Sequence, residues 1–453
     1  MNRVSLMLVA AVLIAQPAFA SEDVQSELAE MRALVEGLKE KVEAQEEQLS
    51  HQGDLLEQAQ ERIQTEDGTK SGLSSFVDSL EVTGHIAGSY AYNLDDPDGV
   101  APGFFDNSGD GSFLPFKRDH NEFIVDQIWF GLGKAATKES RAGFQFDILY
   151  GNTANFIGAG TTASRRAGVL DATSDYYVQQ AYIEYQAPCE VCGDVTFKLG
   201  KFQTYVGSEV VQSGANYNIT IGSVYQLLQP VDHVGLTATS NLGPVEMTLG
   251  LLTSGGFAAW GPDNNEEKTY MASAAMGDDR LNGRVTFLYG NETADNTGTS
   301  GDRVGLVDAV LNFAPAENLG LWVNSTYLFA EGSSQRAWGI AGAGRLAVTD
   351  DLGLALRAEF VQDIPAGGPG GAFAGDVLFG GATDDSATDG AKVYSFTATV
   401  DYALATNLML RGEARYDKVE EEGGEFFDLS EGAGSGSLKD NQTVLLGELV
   451  YTF

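Results

Sequence analysis

From about residue 80 to the last residue, strand-length segments recur in which apolar and polar side chains alternate. In LMLRGEARYD (408–417), Leu408, Leu410, Gly412, Ala414 and Tyr416 alternate with Met409, Arg411, Glu413, Arg415 and Asp417. In KVYSFTATVDY, Tyr394, Phe396, Ala398, Val400 and Tyr402 alternate with Ser395, Thr397, Thr399 and Asp401. LGLALRAEF and RAGFQFDILY repeat the pattern, with Arg357, Glu359, Gln145 and Asp147 on the polar side. A period of two places each set on one face of a strand, so these strands carry one apolar and one charged face.

The spacing predicts about sixteen strands, near 80–92, 122–133, 141–151, 176–187, 194–203, 231–241, 244–254, 269–276, 281–291, 303–314, 319–330, 336–348, 352–364, 391–404, 407–419 and 441–453. A β-sandwich also alternates, so the connections decide. Short links such as ATKES, LGP, DDR, PAEN, TDD and ATN alternate with long ones over 93–121, 152–175, 204–230, 255–268, 292–302, 365–390 and 420–440, except near 331–335, where a short link stands in a long link's place. A sandwich has no reason to sort its loops by end, whereas outer-membrane barrels do. The expected fold of 80–453 is therefore an all-β transmembrane antiparallel barrel, up-and-down, of about sixteen strands. The 55 Gly, 17 Tyr and 24 Phe against 11 Pro fit a chain of many strands and turns with aromatic punctuation.

The first 79 residues read differently. Residues 1–20 have the form of a secretory signal: Arg3, the apolar run VSLMLVAAVLI, then the small-residue site AFA. Residues 21–66 repeat in sevens, with Leu28, Val35, Val42, Leu49, Leu56 and Ile63 on one seam position and Met31 and Leu38 on the other. That pattern predicts an α-helical coiled coil. So narrow a seam needs a partner helix, and the expected state is a homotrimer, three helices in one stalk matching three barrels, although the seam residues alone do not fix three over two. A linker follows over 67–79. The net charge of −37 argues against a nucleic-acid partner.

The segments QQAYIEYQAP, VTFKLGKFQTYVGSEVVQSGANYNIT and SVYQLLQPVDHVGLTAT together resemble the putative beta-barrel porin-2 family of outer-membrane proteins. The resemblance is strongest over 120–255 and leaves the heptad region outside it. It implies a pore-forming barrel in a bacterial outer membrane. A terminal aromatic strand is read by the outer-membrane assembly machinery in such barrels, so the resemblance also implies an assembly signal at Tyr451 and Phe453.

A sixteen-strand barrel is wide enough for an aqueous channel. On the polar parity, Arg141, Lys198, Arg284, Arg345, Arg357, Arg411 and Arg415 point inward with Glu184, Asp308, Glu359, Asp401, Glu413, Asp417 and Glu448. A lipid-facing charge costs ~2–4 kcal/mol at mid-membrane, so the set lines a wet interior. The third long loop, 204–230, carries Glu209, Asn216, Tyr217 and Asn218. These are candidates for a constriction facing the basic wall, by topological analogy with general porins. The other reading is a loop lying over the mouth or against a neighbouring subunit. Acidic loops near 95–98 and 420–425 predict a weak cation preference.

CEVC, with Cys189 and Cys192, lies in a short connection with no second pair and no nearby His, so it reads as a local disulfide of an oxidising compartment rather than a zinc site. The four histidines, His51, His85, His120 and His233, form no hydrolytic spacing, and Asp119, His120 and Glu122 are the nearest cluster. No enzyme, cofactor or metal site is expected. NSGDGS (107–112) matches only part of a calcium loop, which leaves loop-bound Ca²⁺ open. The expected function is a passive diffusion channel for small hydrophilic solutes or ions, contacting outer-membrane lipid and periplasmic at its N-terminus. The alternative is a structural anchor tethering the membrane to the cell wall.

Overall fold

The computed structural model describes residues 36, 41, 76–94, 121–160, 176–189, 193–253, 267–291, 303–331, 336–364, 392–420, 427–428, 438–439 and 441–453. The chain forms two compact units, Met1–Ser79 and Leu80–Phe453. The leader, nearly all of the heptad segment, the linker up to Ser75, Cys192, the Asp119–His120 pair and NSGDGS lie outside the described residues. In the first unit the described part is small: residues 76–78 make a helical turn, closed by the Ser79 N–H and hydroxyl, both donating to the Phe76 carbonyl.

The second unit is a closed barrel of sixteen antiparallel strands. In chain order these are β1 Glu81–Asn93, β2 Glu122–Lys134, β3 Ala142–Tyr150, β4 Tyr176–Ala187, β5 Val195–Gln203, β6 Asp232–Leu242, β7 Val245–Leu252, β8 Thr269–Gly277, β9 Leu281–Asn291, β10 Arg303–Ala316, β11 Leu319–Ala330, β12 Arg336–Ala347, β13 Leu352–Ile364, β14 Lys392–Ala405, β15 Leu408–Glu420 and β16 Asn441–Thr452. Each strand pairs with its sequence neighbours, and β16 closes on β1 with His85 opposite Thr452 and Asn93 opposite Val444. Closure leaves no open sheet edge. A separate two-residue ladder joins Phe427–Asp428 to Leu438–Lys439.

The alternation read from the sequence is the alternation of facing. In β16, Leu445, Leu449 and Tyr451 are exposed on the outer face, while Gln442 and Glu448 are buried inside. In β15, Leu410 and Tyr416 point out, and Arg411, Glu413, Arg415 and Asp417 point in. Apolar side chains outside and buried charges inside invert the soluble pattern, so the outer surface suits hydrocarbon rather than water. Among the described residues no helix is long and apolar enough to cross a membrane. The strands, 8 to 14 residues long, have the reach to do so.

The tightest connections leave two residues between strands, at Gly243-Pro244, Glu317-Asn318 and Thr406-Asn407. Gly243 takes φ +67°, which a turn this short requires and glycine supplies without strain. Two helices interrupt the long connections: α1 (Asn152–Gly160) after β3, and α2 (Ser223–Leu228) between β5 and β6. Neither is visible in the period-two pattern. Both form by burying an apolar face, with Ala154 and Ile157 of α1 and Val224, Tyr225 and Leu228 of α2 nearly inaccessible. Ile157 clusters with Val211, Ile221, Tyr225 and Val231 of the β5–β6 connection.

Candidate functional site

The β5–β6 connection, 204–231, does not lie over the barrel mouth. It runs through the interior and bonds to inward side chains of β2, β9, β10, β11, β13, β14 and β15.

Its two ends are held on the same wall. Thr286 donates to the Tyr205 carbonyl at 2.9 Å, and Arg284 donates to the Gly207 carbonyl at 2.8 Å. The Gly207 N–H donates to Asp308 at 2.9 Å. Asp308 also accepts from Asn324 and Thr326, each at 2.7 Å. From the returning end, Gln229 donates to Asn324 at 2.6 Å and to Thr326 at 2.8 Å. Gly207 sits at φ +88°, and a Cβ there would strike the Gln229 amide, so only glycine lets the two ends approach.

The middle of the loop is fixed by charge. Arg357 of β13 donates to Glu209 at 2.5 Å and to the Thr220 carbonyl at 2.6 Å. Its Nε lies 2.9 Å from Glu359, in ion-pair contact but out of line for a hydrogen bond. Glu209 also accepts the Gly222 N–H at 2.8 Å, and Glu359 accepts the Val224 N–H at 3.1 Å. Burial pushes the Glu209 carboxyl above the ordinary range, opposed by Arg357 and the Gly222 N–H. Glu413 accepts the N–H groups of Ile219 and Thr220, at 2.5 and 3.0 Å, and the Thr220 hydroxyl at 2.6 Å. Arg415 donates to the Ile221 carbonyl at 2.8 Å and to Ser223 at 3.0 Å, and is itself paired with Asp417.

The tip crosses to the barrel seam. The Asn216 side chain closes the loop on itself, accepting from the Val210 N–H and donating to the Val210 carbonyl. Arg411 donates to the Asn216 carbonyl at 2.9 Å and pairs with Glu448 at 3.1 Å. On the other side, Gln127 of β2 donates to the Val211 carbonyl and accepts the Ser213 N–H. Asn218 donates to Thr399 at 2.7 Å, and Tyr217 packs on the apolar cluster around Trp322 and Val206.

The candidate residues thus fall into two groups. Arg284, Asp308, Arg357, Glu359, Arg411, Glu413 and Arg415 meet the loop, and the Arg357 and Arg415 side chains are wholly covered by it. Among the described residues Glu184 and Arg345 make no hydrogen bond or ion pair with it, and Lys198 meets it only through the Tyr205 ring, 5.9 Å away. Arg345 pairs with Asp401, Glu184 accepts the Ala136 N–H at 2.5 Å, and Lys198 lies over aromatic rings. Arg141 precedes β3 and donates to the Gln186 carbonyl near the rim. Cys189 is disulfide-bonded. The sequence reading missed Gln127, Thr220, Gly222 and Gln229 as loop anchors. They carry no periodic signal, since backbone N–H and amide contacts depend on the loop path alone.

Buried backbone donors on ionised carboxylates, and guanidinium groups on backbone carbonyls, are charge-assisted contacts that fix a loop without supplying a reactive centre. The arrangement holds the loop among the inward charges of the barrel. Residues 79–453 match the family described as putative beta-barrel porin-2, OmpL-like. Solved structures with the same fold include an anion-selective porin from Comamonas acidovorans, 11% identical, covering 83% of this chain and 99% of that one, TM-score 0.50. OprB of Pseudomonas putida is 13% identical over 84% of this chain and 96% of its own, TM-score 0.50. The outer membrane channel DcaP of Acinetobacter baumannii is 12% identical over 83% and 97%, TM-score 0.49. A comparison with curated protein sequences returns no match. The matched family model covers the whole closed sheet and the inward loop, and the chain belongs to the putative beta-barrel porin-2, OmpL-like family.

Proposed function

We propose that the chain forms a water-filled passive diffusion channel in a bacterial outer membrane, narrowed by the 204–231 loop. The observation that carries this reading is a loop bonded to seven strands from inside a barrel whose outer face is apolar. Glu209, Asn216, Tyr217 and Asn218 then belong to the constriction. The wall charges act in two ways. Those meeting the loop hold it in place, and those outside it, Lys198, Glu184 and Arg345, face the remaining path. The local field between unlike charges orients dipolar solutes. Acidic surface loops add a weak preference for small cations.

The heptad seam supports a homo-oligomer, and a trimeric stalk on the periplasmic side fits three barrels. The same seam supports the second reading, a tether between membrane and cell wall with the barrel as anchor. Purified protein in planar bilayers separates the two. Stable ohmic steps are expected of the channel, and a barrel that inserts without conductance sinks it.

A further inference from the structure

Lys198 differs from the other cations of the inner wall. It stands in β5 between Phe197 and Leu199, which are 40% and 54% exposed on the outer face, so its own side chain enters the interior. Directly opposite in register is Glu184 of β4. Opposite charges at such a position on an antiparallel sheet ordinarily pair. Here Glu184 is turned to the β2–β3 connection, where it accepts the Ala136 N–H at 2.5 Å. The ammonium instead lies 4.4 Å from the Tyr182 ring centroid, 5.7 Å from that of Phe202 and 5.9 Å from that of Tyr205. Among the described residues it makes no ion pair and no hydrogen bond. By contrast, Arg345, Arg357, Arg411 and Arg415 each pair with a carboxylate, and Arg284 donates to the Gly207 carbonyl.

An ammonium carries three donors and no acceptor. Ring faces stabilise its charge but use none of those donors. The rings themselves are fixed. Phe202 is buried and meets Tyr205 edge-on at 6.0 Å, the Tyr205 carbonyl is held by Thr286, and Tyr182 and Tyr205 pack on the apolar cluster of the barrel interior. A positioned cation with unused donors beside two partly exposed phenol rings recognises two features together. One is a carboxylate, taken by the ammonium. The other is a flat or apolar body, taken by the rings. Inorganic anions would use only the charge.

We propose that Lys198, Tyr182 and Tyr205 form a lumenal subsite for small organic carboxylates with an aromatic or apolar body. This deepens the channel reading and rests on it; Lys198 and Tyr182 belong to the barrel wall, and Tyr205 to the anchored end of the inward loop. The Glu184 carboxylate nearby keeps affinity low, as passage requires a solute that binds and leaves.

The test uses the full chain with benzoate as probe, and acetate and phosphate as comparisons at equal ionic strength. Benzoate is expected to reduce single-channel current in a concentration-dependent manner, more strongly than acetate or phosphate. Lys198→Met should weaken that block about tenfold, the loss of one hydrogen bond to a charged group. Tyr182→Leu should weaken benzoate but not acetate. Lys201→Met, which removes a cation paired with Asp232 in the same strand, should leave the block unchanged. Equilibrium dialysis of benzoate against protein in detergent gives a readout independent of conductance. Binding without conductance supports the subsite and overturns the channel. Conductance with neither block nor binding, or block unaltered by Lys198→Met in a folded barrel, overturns the subsite. Loss of both signals overturns both.

Discussion

Arg357 neutralises two carboxylates at once: Glu209 from the inward loop at 2.5 Å and Glu359 from its own strand at 2.9 Å. All three side chains are shielded from water. Arg357→Leu leaves two buried carboxylates with no cation, at a cost of ~3–5 kcal/mol for breaking such a pair from one side. The barrel's own strand pairing does not depend on this contact. The expected result is a loosened loop in an intact barrel, read as noisier single-channel current and faster protease cleavage within 208–222 at unchanged β content. Wild-type protection of the loop would contradict it.

Glu413 holds the returning segment through backbone donors. Glu413→Ala strips the acceptor from the Ile219 and Thr220 N–H groups together. Each buried donor left without a partner costs ~1–3 kcal/mol. Amide hydrogen exchange at 219 and 220 should accelerate by at least about tenfold, while Gly207, held by Asp308, keeps its protection. Equal loss at both places would mean that the loop unfolds as one unit rather than from this anchor.

The barrel seam has its own vulnerable position. Phe453 and Gly84 exchange backbone hydrogen bonds, each at 3.0 Å, and a Cβ on Gly84 would enter the Phe453 ring and crowd the Trp129 carbonyl. Gly84→Val should lower the fraction of barrel that migrates as folded on an unheated gel. In chain refolded in detergent, where no assembly machinery reads the terminal aromatic, adding Phe453→Ala removes the ring but not the Trp129 carbonyl, so recovery should be partial. Full recovery would place the whole conflict in the ring.

Asp278, in the turn between β8 and β9, accepts the N–H groups of Leu281 and Arg280 at 3.0 and 2.9 Å. These bonds favour the carboxylate and lower its pKa below the usual value. A lowered folded pKa gives stability that is present above the unfolded value and lost as pH falls through the folded one. Protection of the Leu281 amide, its exchange rate taken relative to the intrinsic rate at each pH, should therefore fall only on acidification below about pH 4. Asp278→Asn should remove that pH dependence.

The strands were legible because their facing repeats every two residues. β15 follows the written pattern residue for residue, and the two-residue turn at Thr406-Asn407 marks its start, whereas β16 turns Val444, Leu446 and Val450 inward beside Gln442 and Glu448. The parity of the wall charges was legible for the same reason. Their surroundings were not. A wet interior was the natural expectation for Arg357 and Arg415, yet both are wholly covered by the loop. That cover depends on contacts such as Arg357 to Glu209, 148 positions apart, and on backbone groups with no trace in residue type. α1 was hidden for a related reason. Its apolar residues pack inside the barrel, Ile157 against the β5–β6 connection and Ala154 against Trp129 of β2 and Leu149 of β3, so no local period announces it.

The central claim is that the inward loop sets the size of a conducting path. Deleting 208–222 removes the Glu209 carboxylate and Thr220 carbonyl that accept from Arg357 and the Ile219 and Thr220 N–H groups that donate to Glu413, and returns the wall charges to water in an emptier lumen. The direct measurement is single-channel conductance of the full chain and of this deletion in the same KCl solution. The account predicts stable steps in both, larger in the deletion. Equal steps from a folded deletion barrel would contradict it.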